Sequence, residues 1–407
     1  MRNNLRRDLQ PKIPRIQRVK LGCERLFESE IDLIRNKRLG IVTNHTGVLP
    51  NGTHIVDALQ ADSHITITAL FSPEHGIRGN VPAAEHVGNE IDLSTGLQIY
   101  SLYGDYTKPE KWMLDEIDTL VYDIQDVGTR FYTYISTMAL VMEAAAENQM
   151  PFIILDRPMI TSGDLIDGPV LQDDVRSFIG MLPLPVLYSL TPGELAGLVQ
   201  KEYLLPKALA VDLTIIKLEN YSRSMWYDET NLPWVNPSPN VPTIETATLY
   251  PGTALIEGTN VSEGRGTPFP FQYIGAPFIN KTILTDALMD LDLPGVLFNP
   301  IEFTPRQSDK VAHPRFKDQL CHGIYVQVTN RKIIKPVEVG IAIVCAIKKL
   351  HPDKLIFRAN GAFDRLMGDR NIKLKIENGM DYMEIVSSWK FALKDFGESR
   401  KKYFLYP

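Results

Sequence analysis

The sequence predicts an α/β fold: a Rossmann-like, mostly parallel sheet domain without a nucleotide fingerprint, followed by a smaller α+β C-terminal domain. Three observations carry this. Between Leu39 and Leu218 short β-branched runs alternate with helix-like stretches, the texture of strand–helix–strand units with right-handed crossovers. The runs are almost continuously apolar, as strands buried on both faces are. Past Tyr221 prolines and glycines crowd the chain, and a different set of elements follows.

Taken in order, residues 1–20 form a basic leader. Arg2, Arg6, Arg7, Lys12, Arg15, Arg18 and Lys20 supply its charge, and Pro11 and Pro14 interrupt it. The apolar segment that would complete an export signal does not follow. Leu21-Gly22-Cys23 has the outline of a lipoprotein box, but Lys20 argues against it. The leader is expected to be poorly ordered, with the globular part starting between Val19 and Arg25.

Strands are expected at Leu39–Thr43, Ile65–Phe71, Leu97–Leu102, Thr119–Ile124 and Phe152–Leu155. Ser136 or Thr137 is positioned to cap a helix running to Asn148, which Pro151 cannot continue. A further helix–strand unit occupies Pro192–Tyr203 and Val211–Leu218. Residues 231–278 read as a long irregular stretch, a kind of segment that usually links or functions. Beyond it, Thr282–Leu291 and Val337–Leu350 read as helices, and Val296–Thr304 and Gly323–Thr329 as strands. The boundary is placed near 250, giving domains 21–250 and 251–407.

Composition removes several functions. The chain has 407 residues, 43 Lys and Arg against 49 Asp and Glu, and a net charge of −6. A protein that tracks a phosphate backbone carries the opposite balance, so nucleic acid is not the expected partner. No apolar run reaches the roughly 18 residues a membrane-spanning helix needs. The three cysteines, Cys23, Cys321 and Cys345, form no C-x-x-C pair, which leaves neither a disulfide framework nor a zinc motif. G-x-G-x-x-G, the P-loop, H-E-x-x-H and G-x-S-x-G are all absent, so no cofactor and no metal is expected.

In open α/β sheets the ligand crevice lies beyond the carboxyl ends of the strands. Here those ends carry Asn44-His45-Thr46, Ser72-Pro73-Glu74-His75-Gly76-Ile77-Arg78, Tyr103-Gly104-Asp105, Asp123-Ile124-Gln125-Asp126 and Asp156-Arg157. Glu74, on a tight turn just past a buried strand, is the leading catalytic candidate. Partial desolvation there would raise its pKa and suit it to general acid work; the competing reading is a loop glutamate paired with Arg78. Asp126 or Asp123 could face it as a second carboxylate, with Glu85 in reserve, or could instead cap a helix or hold Arg130. Glycoside hydrolysis needs such a pair, about 5–5.5 Å apart for retention and about 6.5–9.5 Å for inversion. His45, His75 and His86 with the two aspartates would also serve a metallohydrolase, though no ligand spacing supports one. Arg265, between two glycines, is a planar cation suited to a carboxylate, unless it pins its loop through Glu263. Trp234 and Asn240 offer a stacking face and an amide, or simply core packing.

Together these segments resemble one family. Asn44-His45-Thr46-Gly47, Ser72–Gly79, Tyr122–Gly128, Arg130–Tyr134, Leu155–Pro158, Pro237–Asn240, Glu257–Asn260 and Ser262–Thr267 are similar to the exo-β-N-acetylmuramidases of the NamZ type. The resemblance runs from about residue 19 to the C-terminus. It implies an active site between the two domains and release of N-acetylmuramic acid from the non-reducing end of peptidoglycan fragments. It also implies a periplasmic or secreted enzyme of cell-wall degradation and recycling, although no export signal is readable. Glu74 carries over as the catalytic candidate. Asn44, His45, His75, Arg78, Arg130, Tyr132, Asn240, Asn260, Glu263 and Arg265 are the expected substrate contacts. The lactyl carboxylate of this sugar calls for a cation, for which Arg78, Arg130 and Arg265 stand. Its 2-acetamido group could also assist the substitution internally. Two alternatives accompany this reading: a non-catalytic sugar-binding protein of the cell envelope, and a metal-dependent carbohydrate hydrolase.

Overall fold

The computed structural model describes residues 17–79, 90–308 and 311–407. Glu85, His86 and residues 1–16 of the expected leader lie outside these. The described part of the leader is built into the fold. Val19 is buried and its N–H donates to the Thr230 carbonyl at 3.0 Å, while Lys20 pairs with Glu28 at 2.8 Å.

A seven-stranded sheet organises the first half. Its strands are β1 (Arg38–Thr43), β2 (Thr66–Ser72), β3 (Glu90–Ile91), β4 (Gln98–Ser101), β5 (Thr119–Asp123) and β6 (Phe152–Leu155). Two short strands, β7 (Asp167–Val170) and β8 (Pro185–Leu187), form a separate antiparallel pair before β9 (Leu213–Ile216) closes the main sheet. The order is β3-β4-β2-β1-β5-β6-β9, parallel except for β3 against β4. Every residue of β5 and β6 is buried, which is why these strands read as unbroken apolar runs.

The strand order reverses between β1 and β5, where a doubly wound sheet normally opens its crevice. Here the turns themselves fill it. Thr43 Oγ1 donates to the Asp123 carbonyl at 2.7 Å, and Thr46 Oγ1 accepts from the Gln125 N–H at 2.9 Å. A Cβ on Gly47 would stand 2.0 Å from Thr43 Oγ1.

Three local expectations change. The helix after β5 is Tyr134–Glu147, so Ser136 and Thr137 lie inside it. Neither caps: Ser136 Oγ donates to the Phe178 carbonyl at 2.5 Å, and Thr137 Oγ1 to that of Thr133 at 3.4 Å. The apolar Tyr134 and Ile135, both buried, extend the packed face backwards. The stretch 231–278 holds a helix, Ile244–Thr253, capped by Thr243 through the Thr246 N–H at 3.1 Å. Pro251 falls in its last turn, where one lost hydrogen bond is tolerable. The expected boundary at 250 thus falls within a helix that packs its Leu249 into the second core.

That second core surrounds an antiparallel sheet of β10 (Tyr273–Ala276), β12 (Cys321–Val328) and β11 (Val296–Phe303), with the helix Lys281–Met289 against it and the helix Pro336–Leu350 against that helix and Ile244–Thr253. Helices Ile244–Thr253 and Pro336–Leu350 touch through glycine: a Cβ on Gly340 would lie 2.2 Å from the Gly252 carbonyl oxygen. The third change concerns the chain's last residues. Phe396 and Tyr406 are buried in the first core, not the second. Tyr406 donates its hydroxyl to Asp156 and accepts the Leu218 N–H at 3.0 Å.

The halves are joined by polar groups. Asp167 on β7 accepts the Val337 and Glu338 N–H groups at 2.8 and 3.3 Å, satisfying the free end of the helix Pro336–Leu350 from across the junction. Arg130, fully buried, donates to the carbonyls of Pro169, Leu184 and Leu366 at 2.9, 3.0 and 2.8 Å.

Candidate active site

Glu74 follows β2 on a turn in which His75 and Gly76 both have φ +74°. A left-handed histidine is a strained choice costing on the order of 1 kcal/mol, and such positions cluster at functional sites. Half-buried, Glu74 accepts a hydrogen bond from Thr133 Oγ1 at 2.8 Å through Oε2. Tyr103 stands just past β4, and burial together with the Glu74 charge pushes its phenol upward. Burial raises Tyr134 and Tyr250 as well, and the Glu74 carboxylate adds to both shifts.

Tyr250 brings the second half into the site. Its ring makes edge contacts with Phe131, Tyr132 and Phe271 at centroid distances of 5.5, 6.1 and 4.8 Å. Beyond it, in the single turn Ala254–Gly258, stands Glu257. Burial raises the Glu257 pKa, Arg265 opposes that, and the charges of Glu263 and Glu74 raise it further. Arg265 Nη1 lies 2.5 Å from Glu257 Oε1 and 3.3 Å from Glu263 Oε1, with the guanidinium over the Phe271 ring at 4.9 Å. Gly264 and Gly266, at φ +81° and +79°, turn the loop that presents it. Glu257, from the second half, therefore feels the charge of Glu74, from the first, and Tyr250 feels both.

The other sequence candidates fall into distinct places. Asp123 is fully buried and forms a two-pronged ion pair with Arg157, at 2.5 Å to Nε and 2.9 Å to Nη2. Asp126 is buried beside it, accepting from the Gly128 N–H at 2.7 Å and from the Tyr188 hydroxyl. Arg78 grips Asp57 and Asp92, at 2.8 Å to each. Arg130 belongs to the junction. Asn44 is buried and accepts from Thr46 N–H and Oγ1 at 2.9 and 2.6 Å. His45 donates from Nε2 to the Asn236 carbonyl at 2.8 Å, so Nδ1 carries the lone pair; burial lowers its pKa and keeps the ring neutral. Tyr132 donates to the Pro237 carbonyl at 2.6 Å and fixes the segment that holds the buried Asn240. Asn260 uses both ends of its amide on the backbone of Lys354 and Ile356, at 2.9 and 3.0 Å. Trp234 packs edge-on to Tyr227 at 5.3 Å. Among the described residues no three His, Cys, Asp or Glu side chains converge as metal ligands.

Glu74, Glu263 and Arg265 are thus the sequence candidates that interact with Glu257. Tyr103 stands in the strand-end set and Glu257 opens a family segment, but neither these two nor Thr133 and Tyr250 are among the expected site residues.

Comparison with known proteins completes the description. Residues 39–245 match the family model for the N-terminal part of exo-beta-N-acetylmuramidase NamZ, and residues 248–406 match that for its C-terminal part. The peptidoglycan beta-N-acetylmuramidase NamZ of Bacillus subtilis strain 168 is 45% identical over 389 residues, 96% of this chain and 92% of that protein. Two crystal structures of DUF1343 family proteins from Bacteroides fragilis superpose closely. One has TM-score 0.89 and 35% identity, covering 97% of this chain and 100% of the other. The second has TM-score 0.78 and 34% identity, covering 96% and 99%.

Proposed function

The chain belongs to the exo-beta-N-acetylmuramidase NamZ family and is a glycosidase, and from that premise we propose that it releases N-acetylmuramic acid from the non-reducing end of peptidoglycan fragments, with Glu74 as general acid. The observation supporting that role is the setting of Glu74, held by Thr133 just past β2, with its charge felt by Tyr103 and Glu257.

Hydrolysis breaks the bond between C1 and the bridging oxygen. In this reading the Glu74 carboxyl protonates that oxygen as it leaves, and water supplies the hydroxyl that replaces it. Glu257 is the second carboxylate; burial raises its pKa, and Arg265, 2.5 Å away, opposes that rise. In its ionised form it would stabilise the positive charge that develops at C1. The substrate lies in the cell wall, so the reading places the enzyme in the periplasm or outside the cell, in wall degradation and recycling.

The test is Glu74→Gln assayed on a β-1,4-linked N-acetylmuramic acid–N-acetylglucosamine disaccharide. Loss of general acid catalysis should lower kcat by about 100-fold or more, with an unchanged circular dichroism spectrum. Activity above a tenth of wild type overturns the role.

A further inference from the structure

N-acetylmuramic acid differs from N-acetylglucosamine by a lactyl ether that ends in a carboxylate. A site that reads the difference needs a cation with unused donors in reach. Arg78, Arg130 and Arg265 are already committed, although the Nε of Arg130 and of Arg265 has no hydrogen-bond partner among the described residues. Arg78 is bound to Asp57 and Asp92, Arg130 to buried carbonyls at the junction, and Arg265 to Glu257 and Glu263.

Arg315 is differently placed. Its segment folds onto the glycine-flanked loop of Arg265: the Arg306 N–H donates to the Gly266 carbonyl at 2.8 Å, and a Cβ on Gly266 would stand 2.9 Å from Pro314 Cβ. From there Arg315 interacts electrostatically with Glu263 and Glu257, the two carboxylates that flank Arg265. Yet it is in ion-pair contact with neither, and its buried Nε has no hydrogen-bond partner among the described residues. The exposed Arg358 adds a second positive charge at the same place. A half-buried guanidinium with idle donors at the edge of the carboxylate cluster is a receptor for an incoming anion.

We propose that Arg315 receives the lactyl carboxylate of the terminal sugar and so sets the preference for N-acetylmuramic acid over N-acetylglucosamine ends. The assignment rests on the glycosidase reading of the same cleft.

Two substrates separate it from that reading: the disaccharide with a free lactyl carboxylate, and the same disaccharide with the lactyl group as its methylamide. Arg315→Gln should lower the acid-to-amide ratio of kcat/KM by about tenfold or more, chiefly through KM, the scale of one charge-assisted contact. Arg315→Lys, which keeps the charge but not the fork and disturbs packing least, should recover part of the ratio. Calorimetric binding of free N-acetylmuramic acid and N-acetylglucosamine to Glu74→Gln, with and without Arg315→Gln, gives a readout independent of turnover. A ratio within twofold of wild type in both Arg315 variants overturns the assignment, as does equal binding of the two sugars. No turnover by wild type, with Arg315-dependent binding of N-acetylmuramic acid retained, sinks the glycosidic reading alone.

Discussion

The Thr133 hydroxyl donates to Glu74 across 2.8 Å, and does so from the position in front of the helix Tyr134–Glu147, which it leaves uncapped. A threonine cap typically contributes about 1 kcal/mol. The helix forgoes that, and the hydroxyl orients a carboxyl instead. Thr133→Val should therefore lower kcat by roughly tenfold while leaving KM near its original value, the pattern of a lost hydrogen bond to a reacting group. Thr133→Ser should restore most of the rate. Steady-state kinetics on the three proteins decides it; a change confined to KM would refute the positioning role.

Asp126 makes stability depend on pH. Burial pushes its carboxyl up to about 6, only partly offset by the Tyr188 hydroxyl and the Gly128 N–H. The native state thus holds this proton more tightly than the unfolded chain, whose aspartates titrate near 3.9. Its contribution is fully present below about pH 4 and is lost as pH rises through about 6. Asp126→Asn cannot ionise and keeps an acceptor for Gly128. Urea unfolding at pH 8 should show it more stable than wild type by about 1–3 kcal/mol, with the advantage vanishing near pH 4. A gain that persists undiminished at pH 4 would contradict the assignment.

The Asp123–Arg157 pair predicts a different asymmetry. Both side chains are buried, so removing one strands the other's charge. Arg157→Met should cost about 3–5 kcal/mol, whereas Arg157→Met combined with Asp123→Asn should recover much of the loss. A double-mutant cycle by denaturant titration measures the coupling, and additive losses would argue against it.

Gly368 tests the junction. It sits at φ +72°, and a Cβ there would lie 2.4 Å from Arg130 Nη2. Gly368→Ala combines backbone strain with displacement of an arginine that ties Leu366 to Pro169 and Leu184. A loss of about 2 kcal/mol or more is expected, with faster proteolysis between the two halves. A melting temperature equal to wild type would mean that Arg130 moves aside without cost.

Much of this was legible beforehand. Strands β1, β2, β5 and β6 are legible because burial on both faces leaves only one kind of sequence pattern, and the strand-end rule points to the turn after β2 that carries the proposed acid, Glu74. Charged partners were not legible. Arg78 finds Asp57 and Asp92, and Arg130 finds the carbonyl of Leu366, through tertiary approach that spacing along the chain does not encode. The helix Ile244–Thr253 was hidden by Pro251 and Gly252, residues that normally punctuate loops. Here the glycine serves helix contact, and the proline costs little in a final turn. Glu257 follows directly from this helix, in a segment whose glycines also read as loop.

The placement of Tyr406 also couples the first sheet to a segment far along the chain. Its ring closes over Tyr221 at 5.1 Å and its hydroxyl reaches Asp156, so the first sheet is completed by residues that leave the ribosome long after it. Without this segment Asp156 loses a hydroxyl donor and the Leu218 N–H its acceptor. The contacts of the first sheet are therefore complete only once residue 406 has emerged.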